Sequence, residues 1–155
     1  MEKSPDDSAV AMRPVLSCAE AKAWEAGLLG NETAEWAAME QAGEAIGRAV
    51  LEDFKEIGGF PADGRLLVLV GKGHNGGDAL LAARAILVLH PGARASVVLC
   101  FGAGALRPLA GRALDRLMAV GPERVAIVPA DEALAADARY AVCFDGIFGF
   151  QFRAQ

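Results

Sequence analysis

His74, Asn75, Asp78 and Asp145 are the side chains of this sequence best placed to do chemistry. Three of them sit in Gly71-Lys72-Gly73-His74-Asn75-Gly76-Gly77-Asp78, a glycine-dense segment between the apolar run Leu66–Val70 and an Ala/Leu-rich stretch starting at Ala79. That order reads as buried strand, tight loop and helix. Glycines let the backbone approach a ligand, and the free N–H groups of a helix start favour an anion. A phosphate-bearing ligand is the first expectation.

The segment satisfies G-x-G-x-x-G, but a dinucleotide fold also needs an acid near the end of its second strand for the ribose hydroxyls. No Asp or Glu lies between Ala79 and Leu114. Hydride transfer with an ordinary nicotinamide dinucleotide therefore loses an anchor. A Walker-type phosphate loop fails as well, since Gly-Lys-[Ser/Thr] is absent from the helix start. Each residue also has a plainer reading. Asp78 is as good a helix cap as a ligand contact. Asn75 could be a turn residue with positive φ, and Asp145 could be a turn former. Lys72 either steers phosphate or is simply solvated.

The elements that must position these residues emerge from pattern. Residues 1–14 are charged and aperiodic, a disordered tail ahead of one domain over 15–155. Ser17-Cys18-Ala19-Glu20 is a capping box opening a helix to Leu29, with Ala21, Trp24 and Leu28 on one face. Asn31 or Thr33 caps a longer helix. Its apolar stripe runs Trp36, Met39, Gly43, Ile46, Val50, Phe54 and Ile57, with Gly43 and Gly47 leaving room for close packing. Core packing is expected of both tryptophans.

From Arg65 strands and helices alternate: strand Leu66–Val70, helix Ala79–Leu89, strand Ala95–Phe101, helix Ala105–Val120, strand Val125–Val128, a short helix near Asp131–Asp137, and strand Tyr140–Phe144. Apolar strands separated by helices predict a three-layer α/β, Rossmann-like parallel sheet, covered on both faces and preceded by two N-terminal helices. Ligands of such sheets bind at the carboxyl ends of the strands. If the first and fourth strands are neighbours, Gly71–Asp78 and Asp145–Arg153 face each other across one crevice.

Composition narrows the class. A chain of 155 residues, 54% apolar, can bury a full core as one domain. Its net charge of −5 argues against a nucleic-acid module. The charge is uneven, with 5 basic and 12 acidic side chains in residues 1–60 against 10 and 8 in residues 61–155. The half bearing the glycine segment is the mildly basic one. Cys18, Cys100 and Cys143 are too scattered for a disulfide frame or a zinc site, which indicates reduced thiols in a cytoplasmic protein. Cys100 and Cys143 lie in apolar runs and are expected to be buried. Neither a signal peptide nor a membrane span is read.

Three ordered segments carry a resemblance. Gly71–Asp78 resembles the glycine-Asn-rich signature of the NAD(P)H-hydrate epimerase family, the YjeF N-terminal domains. Met39-Glu40-Gln41-Ala42-Gly43 resembles its Met-Glu-Asn-Ala-Gly, and Phe144–Arg153 its Asp-Ala-Ile-Phe-Gly-x-x-Phe-Lys. The resemblance covers residues 15 to 155. It implies epimerisation at C6 of hydrated NADH or NADPH (NADHX or NADPHX), with an NAD(P)H-hydrate dehydratase as functional partner. By the same analogy Asn75 and Asp145 would hold a potassium ion, and Asp145 would be catalytic. His74, Asn75, Gly76, Gly77, Asp78, Gly149, Phe150, Gln151, Phe152 and Arg153 would line the substrate. His74 stands where the family usually has asparagine, and Ala79 where it has glycine. Family members continue with an Asp-x-Pro-Ser-Gly loop beyond the point where this sequence stops, so an open sheet edge and an incomplete site are expected, either of a fragment or of a protein that has lost part of the fold. The alternative is a non-catalytic ligand-binding or scaffold module of the same fold. A homodimer is left open.

Overall fold

A computed structural model describes residues 15–149. The tail expected over 1–14, and the site positions Phe150, Gln151, Phe152 and Arg153, lie outside the described residues. Helix α1 (Cys18–Leu28) starts on the capping box: Glu20 N donates to Ser17 Oγ at 3.3 Å, and Ser17 N donates to the Glu20 carboxylate at 2.8 Å. That reciprocal pairing holds the Glu20 carboxyl below its ordinary value, the Ser17 hydroxyl contributing most. The expected apolar face of α1 is not buried, and Trp24 is 63% exposed. A regular pattern creates a face, but only a neighbour can cover it, and no described element lies over this one.

Asn31, rather than Thr33, caps α2 (Glu32–Lys55), its Oδ1 accepting from Ala34 N at 2.9 Å. The buried stripe is Trp36, Met39, Gly43 and Gly47. Ile46 and Ile57 are exposed, Ile57 because the helix has already ended at Lys55 and Gly58 and Gly59 turn the chain with positive φ. The two buried glycines set the packing against α3 (His74–Leu89). A Cβ on Gly43 would strike Leu81, and one on Gly47 would lie 2.8 Å from the Ala82 carbonyl oxygen. Trp36 is buried as expected, with the Arg112 guanidinium 3.9 Å above its ring.

Four parallel strands form one sheet in the order β3-β2-β1-β4: β1 (Arg65–Val70), β2 (Arg94–Leu99), β3 (Val125–Ile127) and β4 (Val142–Gly146). Val70 stands beside Leu99 on one side and Gly146 on the other. Leu66, Val68 and Val70 share a face with Ala95, Val97 and Phe144, packed into the main core with Leu80, Ala83, Ile86 and Leu87 of α3 and Leu109, Ala113 and Leu117 of α4 (Pro108–Met118). Pro108 opens α4 at a position where its missing N–H costs nothing.

The opposite face differs from expectation. Among the described residues it is covered by the short α5 (Ala130–Ala133), whose Ala133 packs with Leu67 and Val98. Cys143 alternates onto this thinly covered side of β4 and is exposed, and Cys100 sits exposed just past β2. The burial expected of both thiols is not found. An apolar run does not bury every member when, among the described residues, one face of the sheet is thinly covered. No helix among the described residues is long and apolar enough to cross a membrane.

A shallow concavity of about 390 Å³ between the ends of α3 and α4 gathers Arg84, Arg116 and Arg124. Arg124 donates to the Leu87, His90 and Ala93 carbonyls, and Arg116 pairs with Glu40 at 3.1 Å. Arg124 thus supplies the donors that the last turn of α3 lacks.

Candidate functional site

The site begins where β1 ends. Gly71 N donates to the Gly146 carbonyl at 3.0 Å, and a side chain at Gly71 would run into the Ile147 carbonyl oxygen. The segments after β1 and β4 are therefore in backbone contact, as the adjacency of the first and fourth strands requires. Gly73 is the N-cap and α3 starts at His74, five residues earlier than the glycine content predicts. Packing overrides propensity here. A Cβ on Gly76 would lie 2.5 Å from the Gly71 carbonyl oxygen, and one on Gly77 would strike Met39 Sδ. Glycine is needed for proximity, not for an unusual φ.

This early start reassigns several residues. Asn75 has no positive φ, and Asp78 lies beyond the capping position, one turn inside the helix. Gly73 offers no side-chain cap, and the first intrahelical bond runs from Gly77 N to Gly73 O at 3.2 Å. The N–H groups of His74, Asn75 and Gly76 are left without helical acceptors; His74 and Asn75 are exposed, whereas Gly76 is buried.

His74 and Asn75 border a cleft of about 780 Å³. One wall is Lys72, Gly73, His74, Asn75 and Asp78; a second is Gly146, Ile147, Phe148 and Gly149; Phe101 and Arg107 close it from the β2 side. Glu25 of α1 and Leu29 just after it, with Glu35 and Met39 of α2, complete the rim. Asn75 Nδ2 donates to the Phe148 carbonyl at 2.8 Å, joining the first two walls. Its Oδ1 accepts no hydrogen bond among the described residues. Gly146 is buried where a Cβ would meet the Asn75 carbonyl oxygen at 2.5 Å and Ala79 Cβ at 2.8 Å.

The electrostatics are mixed. Burial pushes the Asp78 carboxyl up to about 6, with nearby His74 pulling the other way. His74 Nε2 is 3.8 Å from Glu35 Oε2. Lys72 Nζ lies 4.7 Å from the centre of the Phe101 ring, and Phe101 meets Phe148 edge-on at 6.1 Å. Arg107 N donates to the Lys72 carbonyl at 2.8 Å, which ties the segment after β2 to the glycine segment.

The structure therefore gathers His74, Asn75, Asp78 and Gly149 on one cleft and packs Gly76 and Gly77 beneath it. Asp145 does not line the cleft. Its register partner is Leu69, so it alternates onto the face away from α3, where its exposed carboxylate accepts from Ile147 N at 3.0 Å. Among the described residues no hydrogen bond joins it to Asn75. Arg107, Phe101, Glu25 and Glu35 are cleft residues that motif reading overlooks. Arg107 alone had a signal: an arginine just before Pro108, in the segment that leads from the carboxyl end of the second strand, where such sheets bind their ligands, to the next helix.

Comparison with known proteins agrees with this architecture. Residues 36–155 match the family described as YjeF-related protein N-terminus. Over 136 residues the chain is 35% identical to the Bifunctional NAD(P)H-hydrate repair enzyme Nnr of Gloeobacter violaceus, covering 88% of this chain and 24% of that one. The chain thus spans about a quarter of that relative's length. The crystal structure of the yeast protein YNL200c superposes with a TM-score of 0.71 at 22% identity, covering 92% of this chain and 60% of the yeast chain, and so shares the fold. The family match over residues 36–155 establishes that the chain belongs to the YjeF-related N-terminal family.

Proposed function

We propose that this chain binds hydrated NADH or NADPH and interconverts its two C6 epimers, as one step of nicotinamide-cofactor repair. The observation that carries the reading is the cleft itself: open helix N–H groups and a carboxyl poised near neutrality share one wall, at the carboxyl ends of adjacent parallel strands. The relative named as an NAD(P)H-hydrate repair enzyme supports the substrate class. A dehydratase acting on the same hydrate is the functional partner this step calls for.

The hydrate bears its hydroxyl on a carbon bonded to the ring nitrogen. Inversion there needs no redox change. The C6–O bond breaks and the oxygen leaves as water, taking a proton from Asp78, while the nitrogen lone pair forms a C=N⁺ bond. Water then adds to the opposite face and returns its proton to Asp78. A carboxyl titrating at about 6 can act as acid and base in turn near neutral pH. The first-turn N–H groups of α3 are placed to receive the diphosphate.

Asn75 Oδ1 faces the cleft and accepts no hydrogen bond among the described residues, and an amide oxygen of this kind suits a potassium ion. Asn75 would contribute to holding it, whereas Asp145, on the other face of β4, does not fit the same site. When bound, such an ion supplies positive charge against the substrate diphosphate.

The test is direct. A mixture of R and S hydrates, depleted of one epimer and incubated with the protein, is followed by chiral chromatography; re-equilibration faster than the blank is expected. No acceleration would reject the catalytic reading. The second reading, a non-catalytic module of the same fold, is favoured by the position of Asp145 outside the cleft. It requires hydrate binding without interconversion.

A further inference from the structure

We propose that the cleft discriminates between the two dinucleotide forms in favour of the 2′-phosphorylated one, with Arg107, seconded by Lys72, receiving the extra phosphate. This deepens the epimerase reading and rests on it.

The segment after β2 sets the preference. In doubly wound sheets an acid at the end of the second strand accepts hydrogen bonds from both ribose hydroxyls, whereas an arginine nearby accommodates a 2′-phosphate. Here no acid occurs between Ala79 and Leu114, so the unphosphorylated ribose meets no carboxylate from this segment. What the segment does place on the cleft is Arg107. Its backbone N–H is fixed on the Lys72 carbonyl at 2.8 Å, and its Nη1 lies 3.8 Å from where a Cβ on Gly73 would sit, beside the N-cap of α3. The guanidinium makes no ion pair or hydrogen bond among the described residues. A planar guanidinium at such a place suits bidentate contact with a phosphate.

Lys72 adds a second cation at the same lip, held over Phe101 at 4.7 Å. The carboxylates facing the cleft do not cancel this pair. Glu25 and Glu35 come from α1 and α2, Glu35 lies 3.8 Å from His74, and Asp78 is part-buried with its carboxyl pushed up to about 6. The lip after β2 is thus the cationic end of a cleft whose helical rim is acidic.

The experiment compares two nicotinamide-free probes, 2′-phospho-ADP-ribose and ADP-ribose, by calorimetry at fixed ionic strength. The phosphorylated probe is expected to bind about tenfold more tightly, the size of one charge-assisted contact. Arg107→Ala should abolish that ratio while leaving ADP-ribose affinity unchanged. Arg107→Lys should keep part of it, and Arg107→Asp should invert it by restoring an acid for the ribose hydroxyls. Arg107 is exposed, and its backbone bond survives substitution, so an unchanged melting temperature verifies the fold. Equal affinities for the two probes, or an Arg107→Ala variant that weakens both alike, overturn the inference while hydrate epimerisation stands. Failure of both probes to bind, together with no epimerisation of either hydrate, overturns the function reading along with it.

Discussion

Asn75 Nδ2 donates to the Phe148 carbonyl at 2.8 Å, so one side chain in the first turn of α3 fixes the segment after β4, 73 residues away in sequence. The bond commits the amide end of Asn75 to structure and leaves its oxygen for a ligand. Asn75→Ala should therefore separate two effects. Folding stability is expected to fall by only about 1 kcal/mol, as for an exposed hydrogen bond. Potassium-dependent binding of the hydrate should fall further. Urea denaturation and calorimetry with potassium or sodium chloride measure the two.

Asp78 links the cleft to pH. Its carboxyl is raised from 3.8 to about 6 in the fold, so between those values the native state holds more proton than the unfolded chain. Its contribution to stability is then full below about 3.8 and is lost as pH rises through about 6. Asp78→Asn, which cannot ionise, should lack this decline, and its advantage over the parent should grow from about pH 5 to about pH 7.5. Parallel urea midpoints across that range are the check; curves of identical pH dependence would remove Asp78 from the explanation. The same variant should lose roughly a hundredfold or more in epimerisation rate, the scale of one acid–base group.

Two glycines should respond oppositely to alanine. Gly146→Ala forces a methyl between β4 and the start of α3, against the Asn75 carbonyl and Ala79, and should cost about 1–3 kcal/mol as an overpacked contact. Gly111, inside α4 with nothing within 4 Å of an added Cβ, should gain about 0.5–1 kcal/mol. Thermal melting of the two variants decides whether close approach or helix propensity governs each position.

The thiols report on the face of the sheet that is thinly covered among the described residues. Cys18, Cys100 and Cys143 should all be alkylated without denaturant. Cys143 should react slowly at neutral pH, because desolvation and then the Asp145 carboxylate push its thiol up. Asp145→Asn should speed modification at Cys143 and leave Cys18 unchanged, as read by peptide mass spectrometry. Protection of Cys143 until unfolding would mean that its face is covered.

Much of the fold is legible without coordinates. The capping box at Ser17, the small-residue stripe of α2, the four strands and the meeting of the segments after β1 and β4 all come from local pattern and the chirality of parallel sheets. The glycine segment marks the site correctly and misleads about its form. Local propensity treats Gly76 and Gly77 as helix breakers, whereas the space left by Met39 and by the Gly71 carbonyl admits no other residue and draws them into α3.

Periodicity and capping act over a few residues, and they suffice to set which elements form and where along the chain a ligand belongs. Which side chains share the cleft is a matter of long-range packing. The parity of β4 turns Asp145 away from α3, and the close pairing of the segments after β1 and β2 brings Arg107 and Lys72 to one lip. Both outcomes depend on register between strands distant in sequence, and a shift of one residue would move every side chain to the other face.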